Sequence, residues 1–139
     1  RGLAWDLSSA RRVISFCRDV CTVAIEDKDQ FGDVSNRIIP FELQPWQCFI
    51  FGSLFGWKNA AGLRRFRRAY VETAKGSGKS PMASALGHYM LAGQGKPDAE
   101  VYSAASALDQ AEIAFRHAVS MWEMSGALRR RLVATGDKK

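Results

Sequence analysis

With 139 residues and 15.4 kDa, the chain has room for one domain, or one domain and an appendage. Its 47% apolar content excludes a disordered tail, and no apolar run is long enough for a helix to span a bilayer. The net charge of +6 comes from 20 basic and 14 acidic residues, with arginines bunched at Arg64, Arg65, Arg67, Arg68 and again at Arg129, Arg130, Arg131. Such clusters attract phosphate, and they equally suit a solvated surface or an acidic neighbour. The opening Arg1-Gly2-Leu3-Ala4-Trp5-Asp6 lacks a signal-peptide layout and an initiator methionine. The chain therefore reads as a piece of something longer. Three cysteines leave one unpaired in any disulfide scheme, which favours a reducing compartment. Cys17 and Cys21 share a helix face and could suit a metal, but no histidine or second cysteine pair lies near them in sequence. Buried thiols are the expectation.

In chain order, Ser8 or Ser9 is placed to cap a first helix whose apolar positions are Val13, Ile14, Cys17, Val20, Cys21 and Ala24. The helix is expected to fade near Glu26. Val23-Ala24-Ile25-Glu26-Asp27 imitates an apolar strand ending in paired acids, as at a magnesium site, but its residues fit the preceding helix better. Residues Asp27 to Asp33 read as a polar connection. Pro45 suits the first turn of a second helix, Pro45 to Phe55, because its missing N–H costs nothing there. Gly56 is a natural stop. The aromatics Trp46, Phe49, Phe51, Phe55 and Trp57 are expected to be mostly core. Asn59-Ala60-Ala61-Gly62 reads as a turn, and Phe66 to Glu72 as a strand. Met82 to Leu91 is a helix, Gly93 to Asp98 a loop, and Glu100 to Ala105 a second strand. Ala107 to Met124 is a third long helix with Ile113, Phe115, Val119 and Trp122 as packing positions, broken at Ser125-Gly126. A further element begins near Leu128. Strand, helix, strand, helix implies α/β with a parallel sheet.

Between the first expected strand and its helix stands Thr73-Ala74-Lys75-Gly76-Ser77-Gly78-Lys79-Ser80. The phosphate-loop pattern G-x-x-x-x-G-K-[ST] wants glycine where Thr73 stands, so the match deviates at one position. Gly76 and Gly78 allow left-handed angles and close approach to a phosphate. N–H groups of Gly76, Ser77, Gly78, Lys79 and Ser80 would form an anion-binding nest, with Lys79 reaching the β- and γ-phosphates of ATP and the Ser80 hydroxyl ligating Mg²⁺. Pro81 is tolerable in the first helical turn. Lys75 adds a second cation, either a solvated loop lysine or a group that stabilises charge on the γ-phosphoryl during hydrolysis. An ordinary Gly-Ser-Gly connection is the plainer reading of the whole loop.

Phe41-Glu42-Leu43-Gln44-Pro45-Trp46-Gln47, Phe55-Gly56-Trp57, Arg65 to Glu72 leading into Ala74 to Pro81, and Glu100 to Ala105 with Asp109-Gln110-Ala111 together resemble the large terminase subunit of tailed bacteriophages. The resemblance runs from about Phe41 to Met124. In that family the first glycine of the loop is often missing and a basic residue commonly stands at the position of Lys75, so Thr73 fits. The resemblance implies that Gln47 contacts adenine, which a glutamine amide can do by donating and accepting together; a capping glutamine is the alternative. It further implies a P-loop NTPase core at 61–139, preceded by an N-terminal helical segment at 1–60 carrying the adenine-recognition helix. ATP and Mg²⁺ are the implied cofactors. The implied partners are double-stranded DNA, the portal protein, the small terminase subunit and further copies of the chain, in the host cytoplasm. The whole protein would be an ATP-driven motor filling procapsids, with a nuclease domain further on. This stretch departs from the pattern in one respect: no apolar strand ending in Asp-Glu follows Ser80, and Asp98, Glu100, Asp109, Glu112, Glu123 and Asp137 sit elsewhere. Nucleotide binding with little or no hydrolysis is the expectation. Another DNA-dependent translocase such as a helicase, or a non-catalytic module that contacts a partner, would share these features.

Overall fold

The computed structural model describes residues 2–28 and 34–133. A short strand β1 (Ala4–Trp5) leads into helix α1 (Leu7–Val20). Asp6 caps α1, accepting from the Ser9 N–H at 3.0 Å and from the hydroxyls of Ser8 and Ser9. The expected cap at Ser8 or Ser9 is thus corrected: the serines donate and the aspartate accepts, because a carboxylate satisfies the orphan donors better than a hydroxyl. These bonds hold the Asp6 carboxyl well below the usual carboxylate range, the Ser9 hydroxyl contributing most.

Helix α1 stops earlier than its periodicity implied. Cys21 turns extended at φ −89°, ψ 145°, and Thr22–Lys28 forms strand β2, antiparallel to β3 (Val34–Pro40) with Thr22 opposite Pro40 and Lys28 opposite Val34. The expectation that 23–27 continues the helix is overturned. Thr22, Val23 and Ile25 are β-branched, and across the pair Ile39 stands opposite Val23 and Ile38 opposite Ala24, so pairing outweighs the helical spacing of Ala24. Asp27 belongs to this strand and lies 3.4 Å from Arg37, an exposed ion pair. Asp27 and Lys28 therefore fall in β2, and the rest of the expected connection lies outside the described residues.

Helix α2 (Pro45–Gly56) begins at Pro45 as expected and runs into β4 (Trp57–Lys58), which pairs antiparallel with β1. The Asp6 N–H donates to Gly56 O at 2.8 Å, fastening the start of α1 to the end of α2. Helix α3 (Lys79–His88) continues through a π turn (Tyr89–Gly93); α4 (Leu108–Met124) and the one-turn α5 (Gly126–Arg129) follow. Val13, Phe16, Cys17 and Cys21 from the α1 region pack with Phe51, Phe55, Met82, Ala85, Tyr89, Met121 and Leu128 in one core. Cys17 and Cys21 are buried thiols, and their mutual hydrogen bond together with burial pushes the Cys17 thiol up.

The parallel sheet expected of the fold class is not present among the described residues; both two-stranded sheets are antiparallel, in a mixed α/β chain. Residues 66–72 and 100–105, expected as strands, have no regular secondary structure and no ladder partner among the described residues. A strand exists only by pairing, and no neighbouring strand runs beside either segment here. Phe49 is 74% exposed and Phe115 64%, with Ile113 also exposed, so part of the expected aromatic and α4 packing does not form. Helix α4 instead brings Ala114 and Ala118 against α3, where small residues permit close approach.

Two buried details carry consequences. A Cβ on Gly93 would lie 2.3 Å from Tyr89 Cδ2 and 3.0 Å from Phe16 Cδ2, while Tyr89 is wedged edge-on between Phe16 and Phe55. Gly93→Ala gains up to about 1 kcal/mol of helix propensity but must displace a fixed ring, at a cost of roughly 1–3 kcal/mol. A lower urea midpoint with unchanged slope is expected. His88, buried, donates from Nε2 to Ala118 O at 2.9 Å, and its buried Nδ1 has no partner among the described residues. Burial lowers its pKa. The unfolded chain binds this proton near pH 6.5 and the folded chain only below that, so stability is complete above about 6.5 and is lost as pH falls. The acid-side loss between about pH 7.5 and 5.5 should shrink in His88→Gln, measured by urea titration at both pH values.

Candidate phosphate-binding site

The loop at Thr73–Ser80 is positioned by α3, whose first turn it enters. Gly76 and Gly78 take φ of +82° and +80°, the left-handed region that the sequence reserved for them. Gly78 is the N-cap of α3, and the first bond into the helix is Met82 N–H to Gly78 O at 3.1 Å. The N–H groups of residues 76–80 consequently have no acceptor among the described residues, and Pro81 has none to offer. Several orphan donors at a helix N-terminus, with the positive end of the helix dipole behind them, suit a polyanion.

Thr73 keeps an ordinary backbone angle where the pattern wants glycine, and its hydroxyl lies 2.6 Å from that of Ser77, which in turn donates to Ala74 O at 2.8 Å. The side-chain link closes the loop across the position of the missing glycine. Sequence reasoning missed it, although two hydroxyl residues four apart across a glycine loop were a usable signal. Lys79 folds back inside the loop, donating to Thr73 O and, at 2.9 Å, to Ala74 O. Lys75 is exposed on the loop, and no ion pair holds it among the described residues. The Ser80 carbonyl accepts from Ser84, while its hydroxyl is uncommitted among the described residues.

Gln47 reaches this loop from the start of α2. Its side chain is 3% exposed; Oε1 accepts from the Gln44 N–H at 2.9 Å, so the capping role is real. Its amide nitrogen faces the loop, for a Cβ on Gly78 would stand 3.4 Å from Gln47 Nε2. Gln47 and Gly78, 31 residues apart in sequence, are thus brought together. Asp98, Glu100, Asp109, Glu112 and Glu123 are all exposed, and Glu100 receives the Tyr102 hydroxyl at 2.7 Å. Asp137 lies outside the described residues. No cluster of three or more His, Cys, Asp or Glu able to hold a metal occurs among the described residues.

The family model for the terminase large subunit, ATPase domain, matches residues 45–132, well over half of the chain. This chain belongs to that terminase family. The match opens at Pro45 and takes in α2, the phosphate loop, α3 and α4. Neither a curated protein nor a solved structure was found to match. Membership carries ATPase character, nucleotide binding generally with Mg²⁺, and a place in DNA packaging in general terms. No described helix is long and apolar enough to cross a membrane.

In the terminase loop, Thr73→Val removes the hydroxyl while keeping the volume. The Thr73–Ser77 link is one hydrogen bond, a net contribution of about 0.5–1.5 kcal/mol. Tripolyphosphate affinity, read by calorimetric titration, should fall roughly 2–10-fold with the fold intact by circular dichroism.

Proposed function

We propose that this chain is the nucleotide-holding part of a terminase large subunit, an ATP-driven motor that packages double-stranded DNA into procapsids, and that Thr73–Ser80 holds the phosphates of ATP. The observation that carries this reading is the cradle of unpartnered N–H groups after two left-handed glycines, with Lys79 folded into it. Lys79 would exchange the carbonyls of Thr73 and Ala74 for phosphate oxygens, a stronger, charge-assisted partnership. Gly76, Ser77 and Gly78 would donate from the backbone, and Ser80 would supply the protein ligand to Mg²⁺, which when bound neutralises phosphate charge. Gln47, its oxygen engaged at the helix cap, would offer its amide hydrogens to adenine. Lys75, exposed on the loop, would stabilise charge that develops on the γ-phosphoryl group.

The nuclease, the portal and small-subunit contacts, the ring of further copies and the host cytoplasm belong to the same reading of the complete protein. Hydrolysis needs a carboxylate to orient water, and Asp98, Glu100, Asp109, Glu112 and Glu123 are exposed and make no hydrogen bond to the loop among the described residues. Turnover by this stretch alone is therefore expected to be weak or absent.

Titration of the chain with Mg-ATP should release heat that Lys79→Ala abolishes or weakens at least about tenfold, the loss of one charge-assisted partner. Absence of heat, or an unaltered Lys79→Ala variant, would remove the nucleotide assignment. In the complete terminase, Lys75→Ala should lower turnover roughly 100-fold or more while affinity changes little. Matching losses of affinity from Lys75→Ala and Lys79→Ala would contradict the finger-like role.

A further inference from the structure

At the other end of α3 lies a second concentration of positive charge. A pocket of about 470 Å³ is lined by Arg12 of α1, Lys58 of β4, Arg64 and Arg67 of the segment after it, and Gln94 and Lys96 beyond the π turn. That volume falls in the range of small-ligand sites. No residue of Thr73–Ser80 lines it. At a rise of 1.5 Å per residue, Lys79 to Tyr89 spans about 15 Å, so the two places are distinct.

The pocket is built by the fold. Asn59 Oδ1 accepts from the N–H groups of Ala61 and Leu63 at 3.0 Å each, and Gly62 turns at φ +73°, which folds Arg64 back beside Lys58. The Arg64 guanidinium sits over the Phe55 ring, 5.0 Å from its centre, so its head is held in place. Arg12 and Arg64 line the pocket together with Tyr89, whose phenol burial pushes up and the two guanidinium groups pull down. No carboxylate lines the pocket, and the two ion pairs among the described residues, Arg18–Asp19 and Arg37–Asp27, involve none of its five cations. The buried Gln94 Nε2 has no acceptor among the described residues. Lys58 lies within electrostatic range of the Asp6 carboxylate, while Arg12, Arg64, Arg67 and Lys96 have no ion-pair partner among the described residues. With the orphan amide donor, these cations around one concavity call for a ligand with several acceptor oxygens close together. A carboxylate side chain brings one charge and two oxygens; a phosphate chain brings repeated charge and more oxygens, and matches the arginine fork.

We propose that this pocket is a second phosphate-binding site, separate from the loop at Thr73–Ser80, whose occupant is the phosphodiester backbone of nucleic acid. A free polyphosphate would offer the same oxygens, and the test below separates the two sources. The site stands whether or not the loop binds ATP, because no residue is shared.

The test is binding of a short fluorescent DNA duplex by anisotropy across a salt series, with tripolyphosphate titrated calorimetrically in parallel. The chain is compared with Arg64→Ala/Arg67→Ala, Gln94→Leu, Lys79→Ala and the equal-charge control Arg130→Ala/Arg131→Ala, each checked for folding by circular dichroism. Arg64→Ala/Arg67→Ala should weaken DNA binding about tenfold or more and reduce the slope of log affinity against log salt by about 1–2. Gln94→Leu, with no change of charge, should weaken it about threefold, a modest loss for one neutral donor. Arg130→Ala/Arg131→Ala should leave it nearly unchanged. Tripolyphosphate heat that survives Lys79→Ala but vanishes in Arg64→Ala/Arg67→Ala, without a DNA effect, would assign the pocket to a free polyphosphate. Equal losses from the two arginine pairs, an unaffected Gln94→Leu, or poly-glutamate competing as well as DNA would overturn the phosphate site.

Discussion

Both ends of the functional reading depend on how α3 is held. Its N-terminus presents the orphan N–H groups, and its C-terminal extension forms one wall of the basic pocket. Met82, Ala85 and Tyr89 lie in the core, while Ser84 donates to Ala114 O at 2.8 Å and His88 to Ala118 O at 2.9 Å. Donors four apart on α3 thus meet carbonyls four apart on α4, and alanines at those carbonyls let the backbones come close. A helix fixed on two sides can aim its first turn; one held by a single apolar stripe could rotate. The neutral state of His88 belongs to this clamp, because a charged ring would carry a buried donor with no acceptor.

The site was more legible in the sequence than the sheet. Gly76, Gly78 and Pro45 each encode a local backbone requirement that needs no distant partner, and all three take the backbone that the sequence implied. The terminase resemblance, carried by Gln47 and the loop, agrees with the family match over residues 45–132. Strands were the weak point, for a physical reason. Thr22–Lys28 carried helical spacing at Ala24 yet pairs in a hairpin, because Ile38 and Ile39 were available across from it. Phe66–Glu72 and Glu100–Ala105 carried strand-like composition without a partner to pair with among the described residues. Residue pattern records a preference, whereas pairing depends on what lies alongside. Exposure of Phe49 and Phe115 has the same origin: periodicity names an apolar face but not its cover.

Polar closure of the loop was the least visible feature. Thr73 looked like a flaw in the pattern, and its hydroxyl instead joins Ser77 while Lys79 occupies the interior. The missing glycine costs the loop no left-handed residue, since Thr73 keeps an ordinary angle and the turn is made at Gly76 and Gly78. A phosphate entering the loop would compete with the Thr73 and Ala74 carbonyls for Lys79, so the loop is organised around a cation whose present partners are neutral oxygens.

The most direct measurement is amide chemical-shift mapping of the ¹⁵N-labelled chain on addition of Mg-ATP. The account predicts that the largest changes fall on Gly76, Ser77, Gly78, Lys79 and Ser80, with the Gln47 side-chain amide moving in concert. Changes confined to other parts of the chain, or none at saturating nucleotide, would contradict it.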